Sequence, residues 1–123
     1  MTKYYAKTHE WVVVDGEEAV VGVAEYLAAQ VGDVTYVELP KEGSDLIVGD
    51  SIGVIESVQE SSDVLSPMSG TVIAVNKYLN DDPGLVSISP EEKGWMCRLE
   101  NINLDELDDL MTEEQYRKYL RTL

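Results

Sequence analysis

Between Asp33 and Val75, proline and glycine cut the chain into short β-forming pieces. Val34-Thr35-Tyr36-Val37-Glu38-Leu39 alternates as a half-buried strand does, and Pro40 and Gly43 stop it. Leu46-Ile47-Val48 is brief, Ser51 to Val58 reads as another strand, and Val64-Leu65 runs into Pro67 and Gly70. Thr71-Val72-Ile73-Ala74-Val75 is the clearest strand of the set. Pro40-Lys41-Glu42-Gly43 returns as Pro67-Met68-Ser69-Gly70, 27 positions later, and Leu46, Ile47 and Val48 then align with Ile73, Ala74 and Val75. Such a faint repeat suits two similar β halves packed on each other.

The flanks complete the pattern. Trp11-Val12-Val13-Val14 and Ala19-Val20-Val21-Gly22-Val23 bracket Asp15-Gly16, a hairpin signal. Ala24 to Val31 is rich in Ala and Leu and ends at Gly32, which predicts a short helix with a glycine C-cap. Leu104, Leu107, Leu110 and Met111 fall at helical spacing. Thr112-Glu113-Glu114-Gln115 has the form of a capping box and opens a last helix through Tyr116, Tyr119 and Leu120. Lys118 and Arg121 near its end suit the negative pole of the helix dipole. No linker divides the chain, so residues 1–123 are expected to form one domain with a modest core.

A net charge of −15 repels phosphates over the whole surface and argues against nucleic acid and anionic membranes. A basic patch on a protein partner suits it better, and the same charge disfavours self-association, so a monomer is expected. No stretch approaches the ~20 apolar residues of a membrane span. The N-terminal residues lack signal or transit character, which makes a cytoplasmic location the expectation. Cys97, the single cysteine, lies in the strand-like Gly94-Trp95-Met96-Cys97-Arg98-Leu99 and reads as an inert core thiol. His9 is the sole histidine, and it is expected to be packed or hydrogen bonded rather than catalytic. No Cys/His cluster, phosphate loop or nucleophile elbow is present, so neither metal binding nor independent catalysis is expected.

The most informative segment is Glu56-Ser57-Val58-Gln59-Glu60-Ser61-Ser62-Asp63, in which Ser57-Val58-Gln59-Glu60 reads as a turn. Taken alone, Gln59 is an ordinary exposed turn residue. Other blocks accompany it in order: Thr8-His9-Glu10-Trp11, Val21-Gly22-Val23, Gly32-Asp33-Val34, Val37-Glu38-Leu39-Pro40 with Gly43, and Ser66-Pro67-Met68-Ser69-Gly70. Val75-Asn76, Pro83-Gly84-Leu85-Val86, Ser89-Pro90 and Gly94-Trp95 complete the series. Together they resemble, over nearly the whole chain, the H protein of the glycine cleavage system.

That resemblance implies a mainly β fold: a flattened β-sandwich or hybrid barrel of the lipoyl-domain type, with one short helix in the N-terminal half and C-terminal helices. It implies a non-catalytic carrier. In the family a lysine at the hairpin tip holds lipoate as an amide. The arm takes an aminomethyl group from the P protein, offers it to the T protein and is reoxidised by the L protein. An exposed loop tip on a rigid scaffold is where such an arm needs its root. The position matching that lysine is Gln59. Attachment needs a neutral amine with a free lone pair, whereas the glutamine nitrogen is an amide whose lone pair is delocalised. The resemblance therefore implies a carrier scaffold without bound lipoate.

By the same resemblance, Glu56, Gly43 and Gly70 form the frame that a lipoate ligase or lipoyltransferase recognises. Thr8, Glu10 and Asp63 form the cleft that holds the amine of the loaded arm. An ammonium beside a carboxylate at about 4 Å gains roughly 4 kcal/mol at an effective dielectric near 20. The other reading of Glu10 and Asp63 is solvated surface charge, or a turn cap at Asp63. The sequence departs from the family pattern at Glu60, Ser87 and Glu91 as well, which puts docking to the usual partners in question. Two functional readings stay open: a carrier whose lysine has been replaced, and a diverged paralogue that binds lipoate-related or glycine-cleavage enzymes without being modified.

Overall fold

A computed structural model describes residues 2–123. In chain order the elements are β1 (Lys3–Tyr5), β2 (Glu10–Asp15), β3 (Glu18–Val23), α1 (Glu25–Val31), β4 (Tyr36–Glu38), β5 (Asp45–Leu46), β6 (Ser51–Glu56), β7 (Ser61–Leu65) and β8 (Gly70–Val75). After them come α2 (Tyr78–Asp81), α3 (Leu85–Ile88), β9 (Cys97–Glu100), a 3-10 helix (Leu104–Asp109), β10 (Met111–Thr112) and α4 (Glu113–Leu120). The strands form two antiparallel sheets. One has seven strands in the order β10-β1-β2-β3-β9-β8-β5, and the other has three in the order β4-β6-β7.

Strand alternation decides what each face buries. Along β3, Ala19, Val21 and Val23 point into the main core. Opposite them, Val12 on β2 and Cys97 and Leu99 on β9 join the same core, which Ile52, Ile55 and Val64 complete from the three-stranded sheet. Each fully buried Ile or Leu is worth about 1.5–3 kcal/mol over exposure. Cys97 is buried among them and its thiol is pushed up to about 12 by loss of solvent. That is the inert thiol expected.

The opposite face of β2 builds a second cluster. Trp11 pairs across the ladder with Gly22, where a Cβ would stand 2.9 Å from the indole. The missing side chain lets the ring lie flat on β3. Tyr5, Ala24 and Tyr116 of α4 close over it, with Tyr5 and Tyr116 stacked at 4.3 Å. The capping box at Thr112 and Gln115 is present and starts α4.

The Asp15-Gly16 hairpin forms, with Asp15 paired to Glu18 and Gly16 at φ +65°. Helix α1 ends at Gly32 in a left-handed conformation, φ +93°. The strands that follow the two Pro-x-x-Gly turns pair with each other, Asp45 with Thr71 and Leu46 with Gly70. The repeat thus closes on itself.

Other expectations need correction. Leu104 to Met111 do not form one helix: a 3-10 helix stops at Asp109, and Met111 enters β10 against Tyr5. The strand expected over Gly94–Leu99 begins only at Cys97, because Gly94 closes a turn on Ser89. The strand expected to reach Val58 stops at Glu56, where the hairpin turns.

Candidate functional site

The hairpin of β6 and β7 is built to hold its tip still. Glu56 pairs with Ser61, and Ser57 N–H donates to Glu60 O at 2.8 Å. The Ser57 hydroxyl oxygen accepts from the amides of Gln59 (3.2 Å) and Glu60 (3.0 Å). A serine-anchored turn of this kind satisfies backbone donors that would otherwise face solvent. Val58 at the apex is 92% exposed, and Gln59 beside it is exposed too.

An open cleft of about 480 Å³ lies next to the tip. Val31, Gly32, Asp33 and Thr35, at and beyond the end of α1, form one wall, and Ser57, Val58 and Gln59 form the other. Thr35 N–H donates to Glu56 O at 2.8 Å and ties the two walls at their base. Deeper in the hairpin, Gly53 sits at a β-bulge with φ +148°. A Cβ there would lie 1.9 Å from Glu38 O, so β4 and β6 approach closely only because this residue is glycine.

Residue 59 does not fit a covalently held lipoyl group. Its position suits an attachment point, being exposed, rigidly mounted and beside a cleft. Its chemistry does not, because the terminal nitrogen is an amide.

Of the three residues expected to form one cleft, Thr8 and Glu10 meet, while Asp63 makes no hydrogen bond to either among the described residues. Thr8 Oγ1 donates to Glu10 Oε1 through a short hydrogen bond. Glu10 Oε2 accepts from Leu65 N–H at 3.1 Å, so this one carboxyl joins β2 of the larger sheet to β7 of the smaller. Glu10 is 1% exposed, which rules out the reading as solvated surface charge. Burial pushes its pKa up to about 7, while the bonds from Thr8 and Leu65 pull the other way. Asp63 is exposed on β7, two residues before Leu65, and pairs with Val54.

Glu56 lies in the same hairpin, paired with Tyr36. Gly43 and Gly70 lie elsewhere, in the β5–β8 ladder. Gly43 N–H donates to Val72 O at 2.7 Å with φ +90°. A Cβ on Gly70 would meet Glu100 O at 2.8 Å. Both glycines are required by the backbone there. His9 has φ +76°, its Nδ1 lies 2.7 Å from Tyr116 Oη, and burial lowers its pKa. It is packed and hydrogen bonded, as expected.

Sequence reasoning missed the roles of Ser57 and the Leu65 amide. A serine opening a tight turn was the available signal for the first; no residue type signals the second, which is a backbone group. Ser87 and Glu91 point into the fold rather than toward a partner. Ser87 Oγ bonds Val34 N and Gly32 O, and Glu91 accepts from Tyr5 Oη, Lys3 Nζ and the Glu25 amide.

Comparison with known proteins agrees with this geometry. Residues 3–123 match the model of the family described as glycine cleavage H-protein. The glycine cleavage system H protein of Xanthobacter autotrophicus is 46% identical over 119 residues, covering 97% of this chain and 95% of that protein. That of a Thermoanaerobacter species is 44% identical over 117 residues, covering 95% and 92%. The crystal structure of a glycine cleavage system H protein from Mycobacterium marinum superposes with a TM-score of 0.86 at 27% identity, covering 98% of this chain and 97% of that one. The mainly β fold, the match along the whole sequence and the exposed hairpin agree: this chain belongs to the glycine cleavage H-protein family of non-catalytic lipoyl carriers.

Proposed function

We propose that this chain is an H-protein scaffold that is not lipoylated at residue 59 and does not carry an aminomethyl group as it stands. One observation carries the reading: an amide nitrogen occupies the exposed tip where the family's chemistry requires an amine. The frame around it supports the rest. The tip is held by Ser57, Glu56 lies in the same hairpin, and exposed Thr8 hydrogen-bonds buried Glu10, which accepts from Leu65 N–H two residues beyond Asp63 on β7. A buried carboxyl with no cation within ion-pair distance among the described residues, its pKa near neutrality, is a receptor suited to an ammonium group.

The partners in this reading are the P, T and L proteins and a lipoate ligase or lipoyltransferase, met by a monomer. The test is a mass measurement. The parent and Gln59→Lys are incubated with lipoate ligase, ATP and lipoate and weighed intact. The parent is expected to gain no lipoyl mass and the variant to gain one. A lipoyl adduct on the parent overturns the proposal.

Gln59 beside Glu60 favours a second reading, a diverged paralogue that binds such enzymes without modification. Refusal of the lysine variant selects that reading. Support of glycine cleavage by the lipoylated variant selects the carrier.

A further inference from the structure

Helix α1 is held at both ends by one segment, residues 87–91. At its N-terminus, Glu91 Oε2 accepts from Glu25 N–H at 3.0 Å, while Oε1 accepts from Tyr5 Oη at 2.5 Å and lies 3.4 Å from Lys3 Nζ. Just past its C-terminus, Ser87 Oγ donates to Gly32 O at 3.1 Å and accepts from Val34 N–H at 2.9 Å. Those two backbone groups flank Asp33 and belong to the stretch that walls the cleft beside Gln59.

The segment is itself fixed from behind. Gly94 N–H donates to Ser89 O at 2.7 Å, and a Cβ on Gly94 would stand 2.9 Å from the carbonyls of Leu85 and Ser89. Buried Asn76 donates through Nδ2 to Lys93 O and Trp95 O, both at 2.9 Å. Trp11 Nε1 donates to Pro90 O at 3.1 Å. A rigid base therefore reaches the cleft wall through two side chains. The opposite wall, the hairpin tip, is fixed independently by Ser57.

We propose that Ser87 and Glu91 are positioning residues that set the width of the cleft at residue 59, by fixing α1 and the Gly32–Val34 turn against the hairpin tip. A side chain or attached group rooted at residue 59 is then held against Val31–Asp33 rather than left free in solvent. The use of that confinement rests on the reading of residue 59 as the family's attachment position; the confinement itself does not.

The test uses a nitroxide on Gln59→Cys. Cys97 is buried with its thiol pushed up to about 12, so labelling is selective. A control label sits at Ile47→Cys, ahead of β6 and away from the tip. The mobile fraction of the spectrum at position 59 is expected to rise at least twofold with Ser87→Ala or Glu91→Ala. Ser87→Thr, which keeps the hydroxyl that bonds Gly32 O and Val34 N–H, is expected to restore it, and the control label should not move. An unchanged spectrum at position 59, or equal loosening at both labels, overturns the proposal. If Glu91→Ala does not fold, Ser87→Ala decides alone. None of these outcomes depends on lipoylation, so failure here is distinguishable from failure of the Gln59→Lys experiment.

Discussion

Glu10 shows how a single residue can be named from sequence while its surroundings stay open. Its place in Thr8-His9-Glu10-Trp11 marked it as a site residue, and Asp63 was marked with it. The sequence left open whether either was solvated. Burial is a tertiary property: Glu10 begins β2, and only the arrival of β7 covers it. The consequence can be measured. Its native pKa, near 7, stands above the ordinary glutamate value of 4.5, so the folded state holds a proton that the unfolded chain has released. This stabilising contribution is full below about pH 4.5, is lost as pH rises toward 7, and stays lost above it. Across that window the loss is about 3 kcal/mol. Glu10→Gln cannot titrate. Urea unfolding of parent and variant at pH 4.5 and 7.5 should show the parent losing about 3 kcal/mol relative to the variant. A pH-independent difference between the two would mean that Glu10 titrates normally.

At the scale of elements, legibility followed local chemistry. The Asp15-Gly16 hairpin, the Gly32 stop of α1 and the capping box of α4 were readable because each needs only neighbours in sequence. Helices α2 and α3 have four residues each, too few to display a helical period. Leu104, Leu107 and Leu110 recur every third residue, which a 3-10 helix satisfies as well as an α-helix does. Strand β10 is two residues long and exists because β1 pairs with it. In the sequence Gly53 reads as one more residue of a β run, yet the hairpin depends on it. Gly53→Ala forces a Cβ onto Glu38 O and a side chain onto φ +148°. It should cost more than about 1 kcal/mol by chemical denaturation, and β4 should separate from β6. Amide exchange at Val37 and Val54 should accelerate ahead of that at Val12 and Val21. Uniform acceleration would show that the two sheets open together.

At the scale of the whole molecule, the two sheets, the exposed hairpin and the family were all foreshadowed, because many short motifs in register constrain one another. The carboxyl linking the sheets was not, since it joins β2 to a strand far along the chain. Charge acts at the same scale. Of 24 acidic side chains, those of Glu18, Glu91, Glu113 and Glu114 meet a basic partner among the described residues. Most of those pairs are exposed, and such pairs contribute a few tenths of a kcal/mol each. The remaining carboxylates repel one another across a surface of net charge −15, and folding brings them closer. Salt weakens both effects, but the repulsion involves many more charges and should dominate. Raising sodium chloride from about 0.01 M to about 1 M shortens the screening length from roughly 30 Å to roughly 3 Å. The parent should then gain at least about 1 kcal/mol, near 4 °C in melting temperature for a chain of this size. A melting temperature that falls with salt would mean that the few ion pairs outweigh the repulsion, and that the acidic surface is not held at a cost to the fold.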